Sequence, residues 1–144
     1  MIDGFMLLVG HLIGDYVVQN DWQAANKTNP APSFKSYDEH LADGGQTRRK
    51  WWVGHLACTV HCMLYTLAVW ACSFWWMPWW GVVACFVIHW PVDRFGLAKK
   101  WMMNVSGQKK FATGALSPWS IIVVDNTFHL LTLGVIAKLA EVIK

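Results

Sequence analysis

The chain has 144 residues, 55% of them apolar, with 11 tryptophans and only 15% charged residues. That length allows one domain, and the charge fraction falls well below the quarter usual in soluble domains. The net charge of +3 comes from basic residues that cluster in loops, with no tract suited to nucleic acid. Between Trp51 and Pro91 there is no Lys, Arg, Asp or Glu. A soluble helical hairpin of that composition would expose large apolar patches, whereas a bilayer suits it.

The predicted fold is therefore all-α, a four-helix transmembrane bundle forming a single domain over residues 1–144. Met1-Ile-Asp-Gly lacks the positive start of a signal peptide and runs directly into the first apolar segment. The first helix is expected over residues 2–19, near the lower length limit for a span. It carries His11 and Asp15, with Gly10 and Gly14 beside them. Small residues four apart let another helix approach closely, and packing is the reading adopted for both glycines.

Residues 20–50 read as a polar loop. Within it Asn29-Pro-Ala-Pro32 is a breaker, and Ser36-Tyr-Asp-Glu39 resembles a capping box opening a short helix. Arg48-Arg-Lys50 followed by Trp51-Trp52 gives the basic and aromatic flank of a membrane interface. The second helix is expected over 51–72 and carries His55 and His61. A turn at Met77-Pro78 follows, flanked by Trp75, Trp76, Trp79 and Trp80 as an aromatic belt.

The third helix, 79–98, contains His89, Asp93 and Pro91, and the proline is expected to bend it. Residues 94–118 form a second basic loop with Arg94, Lys99, Lys100, Lys109 and Lys110. Ser117-Pro118 reads as an N-cap and first helical position for a fourth helix over 119–142, which carries Asp125 and His129. The four cysteines, Cys58, Cys62, Cys72 and Cys85, fall in or beside apolar helices and read as buried small residues. With both long loops basic, the positive-inside rule puts them in the cytoplasm and both termini outside.

Residues four apart share a helical face, so His11/Asp15, His89/Asp93 and Asp125/His129 each aim an imidazole and a carboxylate the same way. At about 1.5 Å of rise per residue, these pairs and His55 come within a turn or two of one level. A metal site built from His11, Asp15, His55, His89, Asp93, Asp125 and His129 is the expectation. The donor set suits zinc first, with manganese or iron as alternatives, as one ion or as two about 3.5–4 Å apart. Asp15, Asp93 or Asp125 is the candidate general base. Gln19, Arg94 and Asn126 are candidate substrate contacts, Arg94 for a phosphate. His61, off the face of His55, and the loop residue His40 are left out of the set.

A metal site has two competitors. A polar network gluing helices together explains two or three such residues but not three paired sets. A proton-coupled carrier requires polar groups across the whole bilayer, and the outer halves, Leu64–Trp70 and Leu131–Ala137, are apolar apart from Thr66 and Thr132.

The string His11-x-x-Gly-Asp15-Tyr-x-x-Gln19-x-Asp-Trp22-x-Ala-x-Asn26-Lys27, then His55, His89-x-x-x-Asp93-Arg94-Phe and Asp125-Asn-Thr-Phe-His129, resembles a family of small phage and bacterial membrane proteins catalogued as domain of unknown function 3307. The likeness covers nearly the whole chain except 29–50, which looks like an insertion. It implies a multi-pass protein of the bacterial inner membrane and no established activity. The His/Asp pairs also resemble, in style alone, those of membrane-bound metal-dependent hydrolases. The functional expectation is a membrane-embedded metal-dependent hydrolase acting on a lipid or phosphoester at the cytoplasmic leaflet. The alternatives are a non-enzymatic membrane protein with a structural metal or polar cluster, and a small carrier. Expected partners are membrane lipids, with a second copy or a host envelope protein as further candidates.

Overall fold

The structure, a computed structural model, describes residues 4–28 and 52–143, and all regular structure within them is helical. The breaker at 29–32, the helix expected from Ser36 and the basic run 48–50 lie outside the described residues. Seven helices follow one another: α1 (Gly4–Leu12), α2 (Asp21–Asn26), α3 (Trp52–Ala71), α4 (Trp79–Phe95), α5 (Leu97–Asn104), α6 (Lys109–Thr113) and α7 (Trp119–Val142). α1 packs on α3 and α7, α3 packs on α4, and α4 packs on α7, closing a ring of four.

The first expected helix is corrected. Regular α-helix ends at Leu12, and a wider π-helical turn covers Ile13–Val17, closed by Val18 N–H donating to the Ile13 carbonyl (3.0 Å). π-turns place an extra residue in the ladder and are common at functional sites. This one carries Asp15. Gly10 and Gly14 sit where α3 presses closest. A Cβ at Gly14 would stand 2.6 Å from Tyr65 Cδ2, and one at Gly10 would stand 2.9 Å from the Val69 Cα. Only a bare α-carbon fits at either contact, as the packing reading of the glycines requires.

α2 is a helix inside the expected polar loop. Its start is a reciprocal cap: Gln23 N–H donates to Asn20 Oδ1, and Asn20 N–H donates to Gln23 Oε1, both at 2.9 Å. Gln23 and Asn26 are buried, and α2 packs against α3. Its C-cap is Lys27.

The third expected helix is also corrected. It runs without a break through Pro91 to Phe95, and the chain turns by 58° at Gly96 into α5. Gly96 has φ +56°, a left-handed conformation that closes α4 without a Cβ penalty. The second basic loop holds α5 and α6. α7 begins at Trp119, but Pro118 takes the N-cap position expected of Ser117 and makes no side-chain capping bond.

α3 and α7 are each long and apolar enough to cross a membrane, and α4 with α5 makes a third candidate if the bent pair is one span. Gly4–Val17 is apolar but shorter. Only 22% of the most apolar window of α7 is buried inside the protein, so its surface is largely outward-facing hydrocarbon. The apolar core gathers Leu7, Tyr65, Val69, Met77, Leu133 and Ile136, with Trp76 and Trp80 of the aromatic turn against it. Cys58, Cys62, Cys72 and Cys85 are free thiols, and all but Cys72 are buried.

Candidate metal centre

Beside that core the four-helix ring encloses a polar cluster. The three i,i+4 pairs are in contact as helical spacing dictates: His11 Nδ1–Asp15 Oδ2 at 3.4 Å, His89 Nε2–Asp93 Oδ2 at 3.3 Å, and His129 Nε2–Asp125 Oδ2 at 3.4 Å. The centre belongs to His61, which is fully buried. His61 Nε2 lies 3.0 Å from Asp93 Oδ2, 3.3 Å from His89 Nε2 and 3.3 Å from Asp15 Oδ1. Four helical segments thus deliver donor atoms to one buried cluster.

The spacing of these atoms suits a metal. His61 Nε2, His89 Nε2 and Asp93 Oδ2 form a triangle with edges of 3.0, 3.3 and 3.3 Å. A tetrahedral shell with ligands about 2.0–2.1 Å from the ion has edges of about 3.3–3.4 Å. Asp15 Oδ1 flanks the same two nitrogens at 3.3 and 3.9 Å. That oxygen is buried and makes no hydrogen bond, and neither do His61 Nδ1 and His89 Nδ1. Buried acceptors are ordinarily satisfied, so an orphan aimed at a cluster of nitrogens leaves room for a cation.

Asp93 joins this group to a second one. Its Oδ1 lies 3.2 Å from His129 Nε2, on the side shared with Asp125. Among the described residues, Asp15/His61/His89, Cys62/His89/Asp93 and Asp93/Asp125/His129 are three further sets whose ligand atoms lie close enough to share an ion. These buried His and Asp groups can hold a metal ion. Asp125, with its side chain 26% exposed, forms the open edge of the cluster, while Asp93 and His129 are buried.

The rings stack as well. His89 lies against His129 with centroids 3.9 Å apart and against Tyr65 at 3.8 Å. This packing fixes the ring planes and holds both imidazoles with their Nε2 atoms toward the carboxylates.

Charge makes the case sharper. Asp15, Asp93 and Asp125 place three carboxylates in or beside a dry interior. The ammonium of Lys27 reaches in from the end of α2, 2.8 Å from Asp93 Oδ2 and 3.2 Å from His61 Nε2. Burial opposes a charge on Lys27, but the Asp93 and Asp15 carboxylates outweigh it and hold its pKa above the ordinary value. One ammonium neutralises at most one carboxylate. The rest of the negative charge needs protonated imidazoles or a bound cation, because an unpaired buried charge is expensive.

Other expected site residues fall elsewhere. His55 stands apart from the three sets found among the described residues: it stacks on Trp90 (5.8 Å, 13°) and accepts a hydrogen bond from Arg94 Nε at 3.4 Å. His11 also stands beside those sets. Its Nε2–H donates to Asn126 Oδ1 (3.0 Å), and its Nδ1 meets the Tyr65 hydroxyl (3.1 Å). Asn126 Nδ2 in turn donates to the Tyr16 hydroxyl, so this amide orients His11 instead of facing an open site. Gln19 Oε1 is buried without a hydrogen bond. Arg94 is buried and lines a pocket at the C-terminal end of α4, whose lining does not include Asp93.

Sequence reasoning missed His61, Lys27, Cys62 and Tyr65. A signal for His61 was present: Ala57, Cys58, Cys62 and Tyr65 trace the buried stripe of α3, and His61 lies on it. Lys27 carried no comparable signal, being one basic residue of a loop. Comparisons with protein-family models, with curated proteins and with solved structures each give no match.

Proposed function

We propose that this chain is a multi-pass membrane protein whose buried cluster holds one or two divalent cations and hydrolyses a lipid or lipid-linked phosphoester. The observation that carries the proposal is the convergence of Asp15, His61, His89 and Asp93 on one buried point, with more carboxylates than Lys27 can neutralise. Ionisable groups inside apolar helices are costly and are usually kept for function.

In this reading His61, His89 and Asp93 hold the first ion with Asp15 beside them, and Asp93 reaches toward a second position through His129 and Asp125. Zinc, manganese and iron all suit such a nitrogen and oxygen donor set. When bound, a divalent ion supplies Lewis acidity toward a phosphoryl oxygen and toward water. Asp125, at the exposed edge and paired with His129, is placed to accept a proton from water entering there. The Tyr65 hydroxyl and Asn126 fix the ring of His11, which keeps Asp15 Oδ2 engaged and its Oδ1 turned to the centre. The buried flank, formed by α3 and α4, excludes bulk water from the remaining ligands.

The topology proposed with it has four segments in the bilayer, α1 being the shortest, with basic connections in the cytoplasm and both termini outside. Support comes from the distribution of Lys and Arg and from the outward apolar surface of α7. A bacterial inner membrane and the resemblance to the small phage and bacterial family belong to the same proposal. The test is turnover: purified protein in nanodiscs, supplied with zinc or manganese, releases phosphate or headgroup from phospholipids. Asp125→Asn stays folded and inert. Absence of turnover by wild type with every divalent metal tried would contradict the hydrolase.

A second reading has its own observation. The Lys27 ammonium already touches Asp93 and His61, so the cluster can serve as a metal-free polar staple in a non-enzymatic membrane protein. That reading predicts protein that is fully stable after chelation.

A further inference from the structure

A second site lies outside the His/Asp cluster, at the junction of α4 and α5. A pocket of about 570 Å³ is lined by Thr28, His55, Arg94, Gly96, Lys99 and Lys100 among others, and none of the described residues that line it carries a carboxylate. Its size falls in the range of small-ligand pockets. Arg94 is only 6% exposed, a rare degree of burial for a guanidinium. Its Nε–H donates to His55 Nδ1, and His55 is stacked on Trp90, so the guanidinium and the imidazole are both held in place. Lys99 and Lys100 are exposed at the rim, with Lys100 Nζ 5.7 Å from the centre of the Phe95 ring.

The backbone adds to this charge. The pocket borders Gly96, the N-cap of the eight-residue helix α5, which has no side chain of its own to cap that end. The first amide N–H groups of a helix have no intrahelical acceptor and favour an anion. A Cβ at Gly96 would come within 2.8 Å of Thr28 Cγ2, so glycine keeps the turn close to the α2 end as well as permitting its φ.

We infer that this pocket binds a phosphate ester, held by Arg94, Lys99, Lys100 and His55. Arginine and lysine in one concave site with an uncapped helix start form the chemistry of phosphate recognition. Two sources offer that group: a phospholipid headgroup and a soluble phosphate ester. The hydrolase reading gives the site a purpose, that of anchoring the substrate's phosphate next to Asp93, but binding itself requires no metal. It is therefore measured on chelated protein, where a failed metal site leaves the result unaffected.

The full chain in a neutral detergent is titrated by calorimetry with dihexanoyl phosphatidate, inorganic phosphate and dihexanoyl phosphatidylcholine. Saturable binding of phosphatidate is expected, with phosphatidylcholine weaker by about tenfold because its choline cation opposes Arg94. Lys99→Gln with Lys100→Gln weakens phosphatidate by about thirtyfold, the factor for two lysines at an anionic headgroup. Both lysines are exposed, so helicity by circular dichroism should match wild type. Inorganic phosphate binding as well as phosphatidate assigns a soluble source, phosphatidate alone assigns a lipid, and both uphold the site. No binding of either, or equal binding by wild type and the double variant, overturns it.

Discussion

Lys27 Nζ lies 2.8 Å from Asp93 Oδ2, a contact that carries a cation from a short helix outside the ring into its most buried carboxylate. The capping box at Asn20/Gln23 fixes α2, and α2 fixes Lys27. The same oxygen lies 3.0 Å from His61 and 3.3 Å from His89. A metal held by these ligands would address the same atom as the lysine, and the first prediction follows from that competition.

Lys27→Met removes the ammonium and leaves Asp93 underneutralised. Breaking a mostly buried pair costs about 3 kcal/mol, so the metal-free protein melts well below wild type. Zinc restores more of the loss in this variant than it adds to wild type, because the ion replaces the missing charge. The sign of the pH dependence is fixed by the raised pKa of Lys27. Its contribution to wild-type stability is complete below the ordinary value of 10.5 and is lost only as pH rises through the higher folded value. Thermal melts with and without metal, at neutral and alkaline pH, check both statements.

His61 and His55 separate under substitution. His61→Ala removes the imidazole nitrogen nearest Asp93 Oδ2 and lowers metal affinity by about a hundredfold or more, while His55→Ala leaves it within about twofold. Competition with a chromogenic chelator reads both. Equal loss in the two variants would return His55 to the metal site.

Gly14→Ala places a methyl group 2.6 Å from Tyr65 Cδ2 and 3.1 Å from the Tyr65 backbone Cα. The ring cannot turn freely, since it packs at a tilt against His89 at 3.8 Å and its hydroxyl meets His11. Overpacking of this kind costs about 1–3 kcal/mol, and here it also shifts the ring that positions His89. A lower melting temperature together with weaker metal binding is expected. A lower melting temperature alone would show that Tyr65 does not position the ligand.

Gly96→Ala tests the bend between α4 and α5. The backbone there has φ +56°, and the added methyl meets Thr28 Cγ2 at 2.8 Å. Strain at a left-handed position costs about 1–2 kcal/mol for a residue with a Cβ. Thermal melts of the metal-free variant should show that loss with metal affinity unchanged, because the Gly96 N–H meets Asp93 at its backbone carbonyl and not at its carboxylate.

The sequence held much of this arrangement in its spacing. His11/Asp15, His89/Asp93 and Asp125/His129 follow from the helical period alone, as does α7, whose limits match the apolar run. Three features were not legible, each for a physical reason. His55 and His61 both sit on one apolar helix, and choosing between them required the bundle's level, which depended on a first helix that widens into a π-turn at Ile13. Gly96 reads as an ordinary glycine until its φ shows that α4 stops there, short of the expected end at 98. Lys27 enters the site through the tertiary docking of α2, and no local pattern marks a lysine destined for burial.

Elemental analysis of metal-supplemented, desalted protein tests the central claim most directly. The account predicts stoichiometric divalent metal in wild type and in His55→Ala, and its loss in His61→Ala combined with Asp93→Asn at unchanged helicity. Wild type with no retained metal, or a double variant that keeps as much as wild type, would contradict it.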